Sequence, residues 1–315
     1  MLQGIVLACG AAMSPACTSS PIIDPSKAAT AQPTPTLDED RRVAAQLELD
    51  LATASTALSQ RDEARREWLV ATGEAHQQRH IVLAQRDPFG GVQADHTPIE
   101  QFYPTAPPGM SVEQFAAFAE QAADKFAALV MAQSEPQRTL LFASSAAAAR
   151  FTARHALVDG AALPVPGKAV PAPVEFDPYP QNLQLLLGHL QALEFGLEAL
   201  TGKTANQSAS EELRAQLRVR LASASKQIDQ VRQLITKAGA QPGPAAAQYH
   251  VKADGDDAAK RAEWAKLEAN VASAWAAVTA TAPTEQRKMA LDEFVGQLDR
   301  AQSLGQPLTH WPGWQ

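Results

Sequence analysis

The chain has 315 residues, 45% of them hydrophobic, and a formal net charge of −7, which suits about two domains of ordinary size and composition. Aromatics reach only 6%, and no long alternation of β-branched and polar residues occurs, so a large sheet is excluded and packed, Ala-rich helices are favoured. No basic block stands out and no apolar run is long enough to span a bilayer as a helix, which argues against a nucleic-acid partner and against a transmembrane helix.

The N-terminus reads as an export signal cut short. Met1 to Cys9 is apolar and ends in Val6-Leu7-Ala8-Cys9, a partial match to a bacterial lipobox, with Leu7 where a smaller residue is usual. No Lys or Arg precedes Lys27, so the basic start of a signal is missing, and a true start further upstream is expected. Cys9 is the expected lipidation site. The alternatives are a tail with two incidental cysteines or a Cys9–Cys17 disulfide. Cys9 and Cys17 are the chain's 2 cysteines, so the body offers neither a Cys-based zinc site nor a catalytic thiol. Residues 18–35 are rich in Ser, Thr, Pro and Ala and too poor in apolar surface to fold, as a tether would be. Residues 1–36 are therefore assigned to signal remnant and tether.

Residues 37–160 form a helical block. Leu37 to Gln85 contains no Pro and one Gly, Gly73, and predicts one long helix or two joined near Gly73, opened by Asp38, Glu39 and Asp40. Ser111 with Gln114 predicts a capping box ahead of a second apolar stripe from Val112 to Leu129, and another helix starts near Pro136. Residues 161–181 hold the run of prolines expected of an inter-domain linker. Residues 182–315 then carry four amphipathic segments: Leu183 to Leu200, Leu213 to Ile235 behind a Ser210 cap, Trp264 to Val278, and Ala290 to Leu298 behind a Thr284 cap. Gly202 and Gly239 predict C-terminal stops. The connection between the second and third is long, as in ferritin-like four-helix bundles. The fold class is all-α, a C-terminal ferritin-like bundle preceded by an N-terminal helical block.

Short pieces in order carry a family resemblance: Leu190-Gln-Ala-Leu-Glu194, Leu234 to Pro242 with the Ala-rich run to Tyr249, Lys266-Leu-Glu268 with Trp275, Arg287 with Ala290 and Leu291, and Trp311-Pro-Gly313. Residues 182–315 resemble the ferritin-like domain DUF4439 of actinobacterial exported lipoproteins. The block before them, at Glu74 to His80 and Phe142 to Ala147, is similar to the region that precedes that domain. The resemblance implies a lipid-anchored protein on the extracytoplasmic face of the cell membrane, with no assigned activity.

A ferritin-like fold invites a di-iron centre, which needs two Glu-x-x-His motifs. None occurs, so no cofactor is expected. Glu194 and Glu268 fall inside apolar stripes and are expected to be buried and paired, with Arg287 as the counter-ion of Glu268. His76 and His80 share a helix face, and His155 lies on another stripe. Together they are the metal candidates, and a metal-binding or redox protein is the alternative reading. The leading reading is a non-catalytic envelope protein that binds or scaffolds, its partners being the membrane through the anchor and an envelope protein or small ligand. Asn206-Gln-Ser208 is a formal sequon without expected meaning here.

Overall fold

A computed structural model describes residues 36–91, 95–167, 170–202, 209–246 and 249–314. Among these there are eight α-helices and no strand: α1 Glu39–Ser59, α2 Arg66–Ala84, α3 Val112–Ala132, α4 Pro136–His155, α5 Tyr179–Leu200, α6 Glu211–Lys237, α7 Asp257–Thr281 and α8 Thr284–Ser303. The fold class is all-α, and none of these helices is long and apolar enough to cross a membrane.

The caps explain most boundaries. Asp38 accepts from the Arg41 N–H at 3.1 Å, Ser210 from Leu213 at 3.2 Å, and Asp256 from Ala259 at 2.9 Å. Ser111 and Gln114 exchange both bonds of the expected capping box. Two expectations fail. The first helical stretch breaks at residues 60–65, where Asp62 accepts from the Arg65 N–H, and not at Gly73. Gly73 lies inside α2 because its bare Cα lets α1 approach: a Cβ there would sit 3.0 Å from Thr56 Oγ1. Thr284 is the first residue of α8 and caps nothing; the N-cap position is Pro283.

The pattern of neighbours is stated twice. In the first half α1 pairs with α2, α3 with α4, and α1 touches α3. In the second half α5 pairs with α6, α7 with α8, and α5 touches α7. Each half has its long connection between its second and third helices, residues 85–111 and 238–256. The halves meet through α4 on α7, α3 on α8, and α4 against α8. Exchanging the halves turns the first contact into the second and leaves the third unchanged, as an approximate two-fold requires.

From Thr36 onward the chain is one compact unit with one continuous core. The proline segment joins that unit through backbone bonds. Val165 donates to Leu308 O at 2.8 Å, His310 donates to Val165 O at 2.9 Å, and Gly91 donates to Pro171 O at 3.2 Å. The tail is equally committed: Leu308, Trp311 and Trp314 are buried. Gly313, at φ +86°, passes so close to α7 that a Cβ would stand 2.7 Å from Ala276 Cβ.

Candidate functional site

The two halves each bury one carboxylate completely. Glu268 of α7 has no exposed side-chain surface, and neither does Glu48 of α1. Such a group must be paired or protonated.

Glu268 lies among α5–α8. Arg220 of α6 reaches it in a fork, Nε donating to Oε1 at 2.7 Å and Nη2 to Oε2 at 3.1 Å. Trp264, one turn earlier on α7, donates its indole N–H to Oε1 at 2.6 Å. The Gln297 amide of α8 donates to Oε2 and accepts from Arg300 Nη1 at 2.9 Å. Every strong acceptor direction of the carboxylate is thus spent on protein donors. Burial holds the Arg300 guanidinium below its ordinary value, and the neighbouring Arg220 charge adds to this.

Glu48 lies among α1, α2 and α4. Arg79 donates from Nε to Oε1 at 2.9 Å, and His76 Nδ1 stands 2.6 Å from Oε2. Burial raises the Glu48 carboxyl, but Arg79 and His76 outweigh it and hold it below the ordinary carboxylate value. His76 Nδ1 also stands 2.8 Å from Arg79 Nη2, and Nε2 stands 2.9 Å from Thr152 Oγ1. Burial keeps the imidazole below its usual value, Arg79 reinforces this, and the ring stays neutral. Arg79 also donates to the carbonyl of His310 at 2.8 Å, tying the tail to α2.

The expected site residues are only partly brought together. Glu268 is buried and paired as expected, but its counter-ion is Arg220. Arg287 is buried elsewhere and spent on carbonyls, donating to Val130 O at 3.1 Å at the end of α3 and to Ala282 O at 3.1 Å. Its place at the start of α8 puts it beside that helix end, about three turns from the level of Gln297. Glu194 is half-buried and accepts from Ser225 Oγ at 2.6 Å.

The three histidines do not converge. His76 spends both ring nitrogens as described. His80 faces the Ala45 carbonyl at 2.8 Å and meets Phe102 edge-on. His155 is half-buried and stacks on Phe151 at 4.0 Å between centroids. Cys9, Cys17 and Asn206 lie outside the described residues.

Arg220, Gln297, Glu48, Arg79 and Thr152 carry these clusters and were not singled out from sequence. The signal was present. Arg220 lies three after Leu217 and four before Ala224, and Glu48 three before Leu51, so each breaks an apolar stripe as Glu268 does.

The donor set does not fit the metal centre that a ferritin-like bundle implies. A cation at Glu268 would meet the Arg220 guanidinium already supplying the positive charge, and it would have to displace Trp264 and Gln297. Among the described residues no three His, Cys, Asp or Glu side chains are grouped to hold a metal ion.

Fold and clusters define a class: an all-helical protein whose two fully buried carboxylates are each paired with a buried arginine. Residues 199–315 match a family model described as Domain of unknown function (DUF4439). The match covers α6 to α8 and the tail and begins at the end of α5. No curated protein and no solved structure matches the chain.

Proposed function

We propose that the chain is a cell-envelope lipoprotein, anchored through Cys9 on the extracytoplasmic face of the membrane, whose helical unit binds or scaffolds and does not catalyse. One observation carries the non-catalytic reading. The two fully buried carboxylates, the groups best placed for acid–base or metal chemistry, have their oxygens committed to Arg220, Trp264 and Gln297 or to Arg79 and His76. A general base needs a free lone pair within reach of a substrate proton. Glu268 has none left, and Glu48 has no exposed surface through which a substrate could reach it.

The anchor reading is supported by Val6-Leu7-Ala8-Cys9 and the tether-like composition of residues 18–35. A partner in the envelope, protein or small molecule, follows from it. The acidic balance of −7 supports no nucleic-acid role. The test is fractionation of cells expressing the full-length protein. Cys9→Ala, or globomycin treatment of the parent, moves the protein from the membrane to the soluble fraction. Unchanged membrane retention of Cys9→Ala overturns the anchor.

A further inference from the structure

The approximate two-fold matches residues of one half with residues of the other. α4 and α8 are both 20 residues long, so first residue matches first, Leu140 matches Lys288 and Ala146 matches Phe294. α3 and α7, aligned at their last residues Ala132 and Thr281, match Ala127 with Ala276. On one side of the two-fold the tail fills a groove. The Cβ that Gly313 lacks would stand 2.7 Å from Ala276 of α7, 3.1 Å from Phe294 of α8 and 3.2 Å from Leu140 of α4. Trp311 and Trp314, before and after it, are buried. The groove among α7, α8 and α4 is therefore occupied by the chain's own Trp-Pro-Gly-Trp segment.

The matching groove is open. Ala127, Ala146 and Lys288, the mates of those three neighbours, all line a cleft of about 540 Å³ among α3, α4 and α8. That volume lies within the usual range for ligand sites, roughly 300–1,000 Å³. Gly296 of α8 also lines it. Glycine inside a helix is costly relative to alanine, yet a Cβ at Gly296 would meet nothing within 4 Å, so no contact within the chain requires it. The two grooves differ at the rim. Leu140 lines one hollow together with Gly313 and Trp314; in the open groove its place is taken by Lys288. That lysine is exposed and paired at 2.7 Å with Asp292, itself exposed. Such a pair is worth little, so Lys288 exchanges it for another carboxylate at small cost. The other cations of the cleft, Arg150 and Arg154, are engaged by Glu120 and Asp124 and by Asp299.

We propose that the open groove binds an extended peptide segment of a partner protein, built like the chain's own tail. A tryptophan and a Pro-Gly pair lie over Ala127 and Ala146, and a carboxylate on the residue after the glycine pairs with Lys288. The tail of a second copy is already buried in its own groove, so the segment comes from another protein. The inference rests on the binding reading above and names the partner's chemistry. It is tested on the purified protein, so its failure leaves the fractionation result untouched, and failure of the anchor leaves the groove untouched.

The probe is a synthetic peptide with the sequence of residues 306–314 carrying Trp314→Glu, and the comparison is the same peptide with Trp314→Lys. Each is titrated into the full chain by calorimetry and by NMR of the protein's Trp indole N–H resonances. The Glu peptide binds one to one, about three- to fivefold more tightly than the Lys peptide, the effect of one exposed ion pair gained against one repulsion. The protein's Trp311 and Trp314 signals stay in place, because the tail keeps its own groove. Lys288→Glu reverses the preference between the peptides. Gly296→Leu fills the cleft and weakens the Glu peptide at least tenfold, and its thermal midpoint, expected at or above the parent's, shows that the fold is kept. Absence of binding, equal affinity of the two peptides, an unchanged preference in Lys288→Glu, undiminished binding to Gly296→Leu or displacement of the Trp311 and Trp314 signals overturns the proposal.

Discussion

Arg220→Met tests whether the Arg220–Glu268 pair holds the second half together. The substitution keeps most of the side-chain volume and removes the guanidinium from a carboxylate with 0% exposure, bonded to it at 2.7 and 3.1 Å. Trp264 and Gln297 still donate to that carboxylate, so its lone pairs are not orphaned, but its charge is. Breaking a buried pair from one side costs about 3–5 kcal/mol, and the two remaining donors place the expectation near the lower bound, about 3 kcal/mol. In a unit of this size each kcal/mol moves the midpoint by roughly 2–4 °C, so a fall of about 6–12 °C is expected. The companion variant is Arg220→Met/Glu268→Gln. The amide fills the same space, its oxygen can accept from the Trp264 indole, and it carries no charge. Its stability is expected within about 1 kcal/mol of the parent, since neutral replacement of a whole buried pair is often harmless. Urea unfolding followed by helical circular dichroism at fixed pH and salt gives all the free energies of the cycle, including Glu268→Gln alone. A loss under about 1 kcal/mol in Arg220→Met, or a double variant as unstable as the single one, refutes the reasoning.

The pH profile has a fixed sign. His76 resists protonation in the folded protein, whereas in the unfolded chain it takes a proton near pH ~6.5. The unfolded state therefore binds more protons below that value, and stability falls as pH drops through it. His310, pushed down to about 4 by burial with Arg79 and His76 nearby, extends the loss across the same window, and the depressed Glu48 carboxyl continues it at lower pH. Melting temperatures from pH 7.5 to 4 are expected to fall monotonically, less steeply in His76→Gln; a flat parent profile counts against the assignment. Gly313→Ala forces a side chain into left-handed backbone and into contact with Ala276, with an expected cost of about 3 kcal/mol in urea unfolding, and a cost under about 0.5 kcal/mol would contradict the packing of the tail.

Helix positions were legible because caps and stripes are local. Ser111 with Gln114, Ser210 and Gly239 each stand where the sequence puts them. The break after α1 was misread because Gly73 is the stronger local signal, yet its use is tertiary, a close approach of two helices that no spacing encodes. Partner choice was illegible for a similar reason. Arg287 and Arg220 are both arginines near apolar stripes, and the choice between them depends on axial level. Arg287 enters α8 at its first turn beside the end of α3, while Glu268 lies at the level of Gln297, further along α8. The histidines failed as a metal set because sequence spacing fixes a shared face for His76 and His80 but says nothing of what faces them. Glu48 and the Ala45 carbonyl do.

The repeated neighbour pattern bears on what the DUF4439 match means physically. Residues 199–315 supply α6 to α8 and the tail, but these do not form a closed structure by themselves. The face of α5 that packs on α6 and α7 carries Leu183, Leu186, Leu190, Leu193 and Leu197, all fully buried, and it lies before residue 199. The tail is seated on the first half, through Arg79 on the His310 carbonyl, Val165 beside Leu308 and His310, and Phe89 beside Trp314 at 6.0 Å. Burial of each large apolar side chain stabilises by about 1.5–3 kcal/mol, so the matched segment alone lacks two of the surfaces that hold it. The buried charges fit the same reading. Glu48 lies on the first helix of its half and Glu268 on the third of its own, so they are not symmetry mates, yet each is answered by an arginine from the helix diagonal or adjacent to it. The two four-helix halves, each with its fully buried carboxylate paired from within and both in contact with the tail, thus form the one compact unit that begins at Thr36.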